Sequence, residues 1–362
     1  MPDAALSTLL SLCAADALGA ATEFKTPEVI HARYTLPFDH YQEGSVFGFA
    51  PGEATDDSQM VVATLLGYAR GEGTGGVWRA LQEWLATGPP DVGGLTRAAL
   101  QHAGPDGGVH AWEASGFQSA GNGGLMRVAA AWIAGFRGDD LARESAVLTA
   151  LTHADPRCVH ASVVLTACME ALSSGGSSTD AAAHGLRVMD ALNAEATLLD
   201  AGLFSTATLR AQMAFRGRDR EARASVRGRV RAGLDGLLTS QSGFVLDTLE
   251  AALKHARAGS WLECVQPAVL LGDDSDTVAC VVGALAGARG LPVPGPLLAP
   301  LRLGHSWPDW KRTGCAWSIC LTLSRLPSGP ETTCGPGGML YFYGCPLRTS
   351  RSSWQTWRRR QI

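Results

Sequence analysis

Two short acidic clusters are the first places where this chain could do chemistry. Asp273, Asp274 and Asp276 crowd into four positions before the apolar run "TVACVVGAL", and Thr55, Asp56 and Asp57 stand before "SQMVVATLLGYA". One Asp, Ser or Thr at such a place is an ordinary N-cap, because its side chain accepts from an unpaired backbone N–H and the helix dipole favours negative charge. Further carboxylates repel the first, and burial strengthens the repulsion. Either they point into water or a cation sits among them. Hard divalent cations take carboxylate, hydroxyl and water oxygens. Two such clusters brought face to face could hold two ions, and Mg²⁺ or Mn²⁺ suits them better than zinc, because no His or Cys pattern nearby supplies softer ligands.

Three further stretches have chemical potential. "SAGNGGLMR" (119–127) contains a Gly-Asn-Gly-Gly turn before an apolar stretch, and a turn opening a helix can bring backbone N–H groups close to a phosphate. His153, in "LTHADPRCVHAS" (151–162), occupies a break between two apolar runs, and "CAADALGAATEF" (13–24) is a small-residue helix ending at Glu23.

The elements that must position these residues read as helices. "VVATLLGYAR" (61–70), "VWRALQEWLA" (77–86), "CVHASVVLTACMEAL" (158–172) and "FVLDTLEAALKHARAG" (244–259) repeat apolar residues at spacings of three and four, while Gly, Pro and Asp clusters punctuate them. Alternating strand patterns are scarce, so the expected fold class is all-α, with Ala and Gly allowing close helix approach. The 362 residues are 46% hydrophobic, enough for a substantial core, and a formal charge of −4 suggests neither a nucleic-acid nor a membrane partner. Residues 209–232 hold eight Arg but lack interleaved aromatics for base stacking, which favours a solvated helix face over a nucleic-acid surface. No run approaches the roughly 18 apolar residues of a membrane span. The N-terminus has no signal-peptide pattern, and Cys13, Cys158, Cys168 and Cys280 lie in apolar stretches as reduced thiols would, pointing to a cytoplasmic protein.

Residues 311–362 differ from the rest, with eight Lys/Arg against the single acid Glu331, four of the nine Cys, and little helical periodicity. They read as an atypical tail, from an altered reading frame or a degenerate extension, appended to a domain spanning 1–310. Cys315, Cys320, Cys334 and Cys345 never form CxxC, which argues against a metal knuckle.

Taken in order, the motifs Asp16-Ala-Leu-Gly19 with Glu23-Phe24, Thr55-Asp-Asp57, Gly121-Asn-Gly-Gly-Leu-Met-Arg127, Thr152-His153 and Gly272-x-Asp274-Ser-Asp276-Thr277 resemble the ADP-ribosylglycohydrolase family, which includes the dinitrogenase reductase-activating glycohydrolases. The resemblance implies a compact, orthogonally packed all-α fold with a binuclear Mg²⁺ or Mn²⁺ site at the base of an ADP-ribose cleft. It implies Thr55, Asp56, Asp57, Asp274, Asp276 and Thr277 as metal ligands, and Gly121, Asn122, Gly123, Gly124, Met126 and His153 on the substrate side. Glu23 and Asp56 are the carboxylates that could take a proton from water. The implied reaction is metal-dependent hydrolysis at ribose C1″ of an ADP-ribosylated protein or a small ADP-ribose conjugate. The alternative is a non-catalytic ADP-ribose or nucleotide-binding protein of the same fold, against which retention of all six ligands argues. Arginine is the linkage favoured by analogy. Two positions depart from the family pattern: Ala15 replaces a Gly before the first Asp, and Asp273 replaces the Gly before Asp274.

Overall fold

A computed structural model describes residues 4–303. Helices dominate it, and among the described residues no β-sheet forms; pairing is limited to isolated bridges such as Gly121 with Phe244. In chain order the helices are α1 (Ala4–Gly19), α2 (Pro27–Arg33), α3 (Asp56–Ala69), α4 (Gly73–Leu85), α5 (Gly94–Leu100), α6 (Gly107–Ala114), α7 (Ala129–Ile133) and α8 (Gly138–Ala150). Then follow α9 (Pro156–Ser173), α10 (Ser178–Ala191), α11 (Ala194–Asp200), a short 3₁₀ turn (Thr206–Thr208), α12 (Leu209–Leu234), α13 (Val245–His255), α14 (Trp261–Val269), α15 (Ser275–Ala288) and α16 (Gly295–Leu298). The all-α expectation holds. The atypical tail lies outside the described residues, and no helix among those residues is long and apolar enough to cross a membrane.

Helices α1, α9 and α15 are among those buried around most of their circumference, and they run through the centre. In α15 every residue from Ser275 to Ala288 is buried, in α1 nearly every residue beyond Leu10 is, and α9 is buried along most of its length. The buried thiols of Cys13, Cys158, Cys168, Cys264 and Cys280 pack in this core as small side chains.

The α1–α15 seam explains the abundance of small residues. A Cβ on Gly19 would stand 2.4 Å from the Asp276 Cα, one on Gly283 would meet the Ala15 Cβ at 2.7 Å, and one on Gly287 would meet the Thr8 Cα at 2.6 Å. The methyl of Ala15 thus packs where α15 has no side chain. Ser11 fastens the same seam by donating to the Gly283 carbonyl at 2.5 Å and accepting from Trp261 Nε1 at 2.8 Å. This close approach brings the C-terminal end of α1 against the acidic N-terminus of α15. Gly19→Ala is therefore expected to cost about 1–3 kcal/mol by overpacking and to lower turnover as Asp276 shifts. Thermal melting at the wild-type temperature would contradict it.

The arginines of α12 lie exposed or half-exposed, as a solvated face would, and several of them are paired with acids. Arg216 pairs with Glu195 of α11, Arg223 with Asp219 one turn earlier, and Arg227 with Asp190 of α10. Arg229 reaches Asp247 at 2.8 Å and Glu250 at 3.0 Å, both on α13. Except for Asp219, these acids lie on other helices, so most of this pairing is invisible to a local reading. Asp247 in turn accepts from Ser240 and Ser242, at 2.7 Å each, which holds the segment before α13 in place.

Candidate active site

The acidic clusters meet. Thr55 caps α3, Asp56 and Asp57 occupy its first turn, and Asp274, Asp276 and Thr277 open α15. Thr277 Oγ1 donates to Asp57 Oδ2 at 3.2 Å, joining the two helix starts. Capping does not account for the acids: Thr55 supplies the cap of α3, and Asp274, at the N-cap of α15, makes no side-chain capping bond. Single carboxylate oxygens of Asp16, Asp57 and Asp276 lie within 4.8 Å of one another, and so do those of Glu23, Asp91 and Asp276. Asp276 belongs to both groups.

These carboxyls are short of partners. Asp57 Oδ1, Asp276 Oδ1 and Glu23 Oε2 are buried and accept no hydrogen bond, an expensive condition for a charged oxygen. Burial first, and then the neighbouring carboxylates, push the Asp56, Asp57 and Asp276 carboxyls well above the usual range and Glu23 up to about 11. A donor set of carboxylate and hydroxyl oxygens, with unpartnered lone pairs facing one another, fits a hard metal cation.

Two residues outside the expected set take part. Asp16 is fully buried and accepts from the Thr55 hydroxyl at 2.7 Å, from the Thr55 and Ser58 backbone N–H groups, and from the Ser58 hydroxyl. It thereby clamps the start of α3, and burial holds its carboxyl up at about 6 despite those donors. Asp91, half-buried between α4 and α5, sits with Glu23 and Asp276 and is pushed up to about 6 by burial. In sequence, Asp16 is a lone acid in a small-residue helix, with nothing local to mark a role. Asp91 sits in "TGPPDVGG", where a lone acid among Gly and Pro reads as a turn residue.

Glu23 follows α1 in a loop tied to the α15 start. Thr22 and Ser275 hydroxyls are 2.9 Å apart, the Phe24 N–H donates to the Asp273 carbonyl at 2.7 Å, and the Asp273 N–H donates to the Lys25 carbonyl at 3.1 Å. Gly272, at φ +72°, has no alternative here, because a Cβ would stand 2.0 Å from the Lys25 carbonyl oxygen. Asp273 is exposed with φ +51°, so its side chain leaves the cluster and its backbone takes the left-handed conformation that glycine adopts freely. Asp273→Gly is expected to leave Mg²⁺ affinity within about threefold, roughly 0.65 kcal/mol where tenfold is about 1.4, with turnover intact. A tenfold loss of affinity by calorimetry would make Asp273 a ligand.

Asn122 connects the glycine-rich loop to this centre, its Nδ2 donating to Asp274 Oδ2 at 2.6 Å and to the Thr248 hydroxyl at 2.9 Å. Backbone bonds from Asn122 to Gly243 and from Val245 to Ala120 seat the loop on the segment that α12 and α13 brace. Gly121, Gly123 and Gly124 lie over His153: a Cβ on Gly123 would meet the His153 ring at 2.8 Å, and one on Gly124 would meet Thr149 Cγ2 at 2.7 Å. His153 is buried, bonded through Nδ1 to the Thr152 hydroxyl at 2.8 Å, and held neutral by burial and then by Arg127, its pKa lowered to about 3. Met126 is buried behind the loop. The expected helix opening is absent at this turn. Met126 and Val128 N–H groups close turns onto Asn122 and Leu125, and regular helix begins only at Ala129. Arg127 is instead the loop's internal brace, fully buried and donating to the Gly123 carbonyl at 2.8 Å, the Thr152 hydroxyl at 2.7 Å and the Leu148 carbonyl at 2.7 Å.

A family model described as ADP-ribosylglycohydrolase matches residues 2–312, which is nearly the whole of the chain outside the tail. The chain belongs to the ADP-ribosylglycohydrolase family. Among its relatives is the ADP-ribosylarginine hydrolase Tri1 of Pseudomonas putida (strain GB-1), 28% identical over 307 residues, covering 79% of this chain and 70% of that protein. The ADP-ribosyl-[dinitrogen reductase] glycohydrolase of Rhodospirillum rubrum is 34% identical over 128 residues, 34% of this chain and 42% of that one. A solved ADP-ribosylglycohydrolase-related protein complex superposes with a TM-score of 0.61 at 24% identity, over 89% of this chain and 97% of that chain, and so shares the fold. Hydrolysis of an ADP-ribosyl linkage is the activity that the family description and these relatives' names carry.

Proposed function

We propose that this ADP-ribosylglycohydrolase family member cleaves the glycosidic bond at ribose C1″ of ADP-ribosyl-arginine, on a protein or as a small conjugate, with two Mg²⁺ or Mn²⁺ ions. The observation that carries this reading is the double carboxylate cluster sharing Asp276, with buried unpartnered oxygens on Glu23, Asp57 and Asp276. Thr55, Asp56, Asp57, Asp274, Asp276 and Thr277 would hold the ions. Bound there, divalent cations supply Lewis acidity toward the ribose hydroxyl oxygens and toward water.

The remaining chemistry falls to the chain's own groups. Water adds its oxygen to C1″ and gives up one proton, the C1″–N bond breaks with its electron pair on the guanidine nitrogen, and that nitrogen takes up the proton, so the products are ADP-ribose and unmodified arginine. The transition state is oxocarbenium-like, as in other glycoside hydrolysis, so closely placed carboxylates stabilise the charge developing on the sugar. Asp56, whose carboxyl is held up by burial and by its neighbour Asp91, is one carboxylate able to accept the proton of the attacking water. Glu23, across the cluster beside Asp276, is the second candidate for proton transfer. The loop from Gly121 to Met126, locked beneath by Arg127 and His153 and tied to Asp274 by Asn122, is the surface proposed to take the ribose and diphosphate.

The arginine linkage is favoured by the name of the Tri1 relative. Turnover of ADP-ribosyl-arginine, ADP-ribosyl-serine and O-acetyl-ADP-ribose, compared side by side, tests it. Preferred release from the arginine conjugate is expected. Preference for another conjugate would reassign the substrate, and tight ADP-ribose binding without turnover of any would replace the enzyme with a binding protein.

A further inference from the structure

The glycine-rich loop leaves two buried polar groups uncovered. A Cβ on Gly123 would stand 3.0 Å from the Thr96 hydroxyl and 3.2 Å from His153 Nε2, and one on Gly121 would stand 3.4 Å from the same nitrogen. A side chain at position 123 would therefore cover both atoms. Thr96, in α5, is 2% exposed and His153 is 3% exposed, so each side chain is all but enclosed. Among the described residues neither the Thr96 hydroxyl nor His153 Nε2 has a hydrogen-bond partner, and neither is sealed away from solvent as His160 Nδ1 is. Enclosed polar atoms need partners, and for these two the partner must come from outside the protein.

The proton on His153 is fixed from behind. Arg127 can only donate, and its Nη1 donates to the Thr152 hydroxyl at 2.7 Å. That hydroxyl lies 2.8 Å from His153 Nδ1 and has no other acceptor for its own proton among the described residues. Its proton therefore goes to Nδ1, which must accept. Burial first and Arg127 second keep the ring neutral, with its pKa lowered to about 3. A neutral imidazole carries one proton, so that proton is left on Nε2, the atom that faces Gly121 and Gly123.

We infer that Thr96 and His153 form a two-donor seat over Gly123 for a diphosphate oxygen of the ADP-ribosyl group, and that Thr152 and Arg127 are positioning residues that hold the imidazole proton on Nε2. This seat, which rests on the proposed reading of the loop as the ADP-ribose surface, suits a diphosphate oxygen better than a ribose hydroxyl. A phosphate oxygen only accepts, and the seat offers it a fixed N–H and a rotatable O–H. The Arg127 guanidinium behind the ring also makes the local potential favour an anion. The ribose belongs with the carboxylates instead, where Asn122 reaches Asp274.

Calorimetric titration of the Mg²⁺-saturated full chain with ADP-ribose, and with ADP, which keeps the diphosphate and lacks the distal ribose, tests the seat. Thr96→Val is expected to weaken both ligands about fivefold to tenfold, the scale of one lost hydrogen bond. Thr96→Ser, which keeps the hydroxyl, should stay within about twofold of wild type. Equal affinities in wild type and Thr96→Val would overturn the seat, and weakening of ADP-ribose alone would overturn its assignment to the diphosphate. A wild type that binds neither ligand would instead overturn the proposed function, and the seat with it. The relay is read on the unmodified protein. With ¹⁵N-labelled histidine, long-range ¹⁵N–¹H correlations, assigned by comparison with His153→Gln, should show His153 protonated at Nε2 alone. Thr152→Val should introduce the form protonated at Nδ1, and Thr152→Ser should not. Protonation of His153 at Nδ1 in the wild type would overturn the relay, however the variants fold.

Discussion

Asp276→Asn is expected to lower turnover of ADP-ribosyl-arginine by on the order of 100-fold or more, the scale of losing a positioned catalytic group. Asp276 is the residue to choose because its carboxylate belongs to both clusters. Asn keeps the volume and removes the charge, so the α1–α15 seam is undisturbed. The same substitution should abolish the rise in melting temperature that Mn²⁺ gives the wild type, since a cation stabilises only the state that binds it. In chelator the variant should melt higher than wild type, because one of several mutually repelling buried carboxylates has gone. Loss of activity alone would fit many residues; the opposite signs of the two thermal shifts belong to a cation ligand. Wild-type turnover in this variant would remove Asp276 from the site.

Without metal, the protein should lose stability as pH rises from about 4 to 8, and saturating Mn²⁺ should abolish or reverse that trend. The sign follows from the carboxyls. Asp16 is pushed from an ordinary 3.8 up to about 6 and Glu23 from 4.5 up to about 11, by burial in both cases and then, for Glu23, by Asp276. Each folded-state value lies above the unfolded one, so the stability these groups contribute is fully present below about pH 4. It is lost as pH rises through about 6 for Asp16, and the loss continues toward 11 for Glu23. At about 1.4 kcal/mol per unit, Asp16 alone accounts for a few kcal/mol. A bound divalent cation favours the ionised carboxylates and turns the dependence round. Thermal melts of chelated and Mn²⁺-loaded protein across this range check it, and parallel curves would show that the carboxyls do not share a cation.

The legible parts of this molecule are those encoded locally. Apolar recurrence at three and four residues placed α3, α4, α9 and α13 within a few residues of their observed limits, because each helix buries one face or all of them. Asp56, Asp57, Asp274 and Asp276 could be found because several acids before an apolar helix exceed what one cap requires. What stayed hidden depends on tertiary approach. Asp16 reads as one polar residue in an Ala-rich helix until the start of α3 is brought onto it, and Asp91 reads as a turn residue until Asp56 lies beside it. The arginines of α12 do lie on an accessible face, but the acids that Arg216, Arg227 and Arg229 find on α11, α10 and α13 are not legible from that helix alone. The glycine loop misled differently: its sequence continues into an apolar run, but Arg127 turns inward to brace the backbone and delays the helix to Ala129.

The most direct measurement is hydrolysis of ADP-ribosyl-arginine by protein stripped of metal with EDTA, before and after Mg²⁺ or Mn²⁺ is restored. The clustered carboxylates predict turnover that vanishes on stripping and returns with either ion. Full turnover by the rigorously metal-free protein would contradict them.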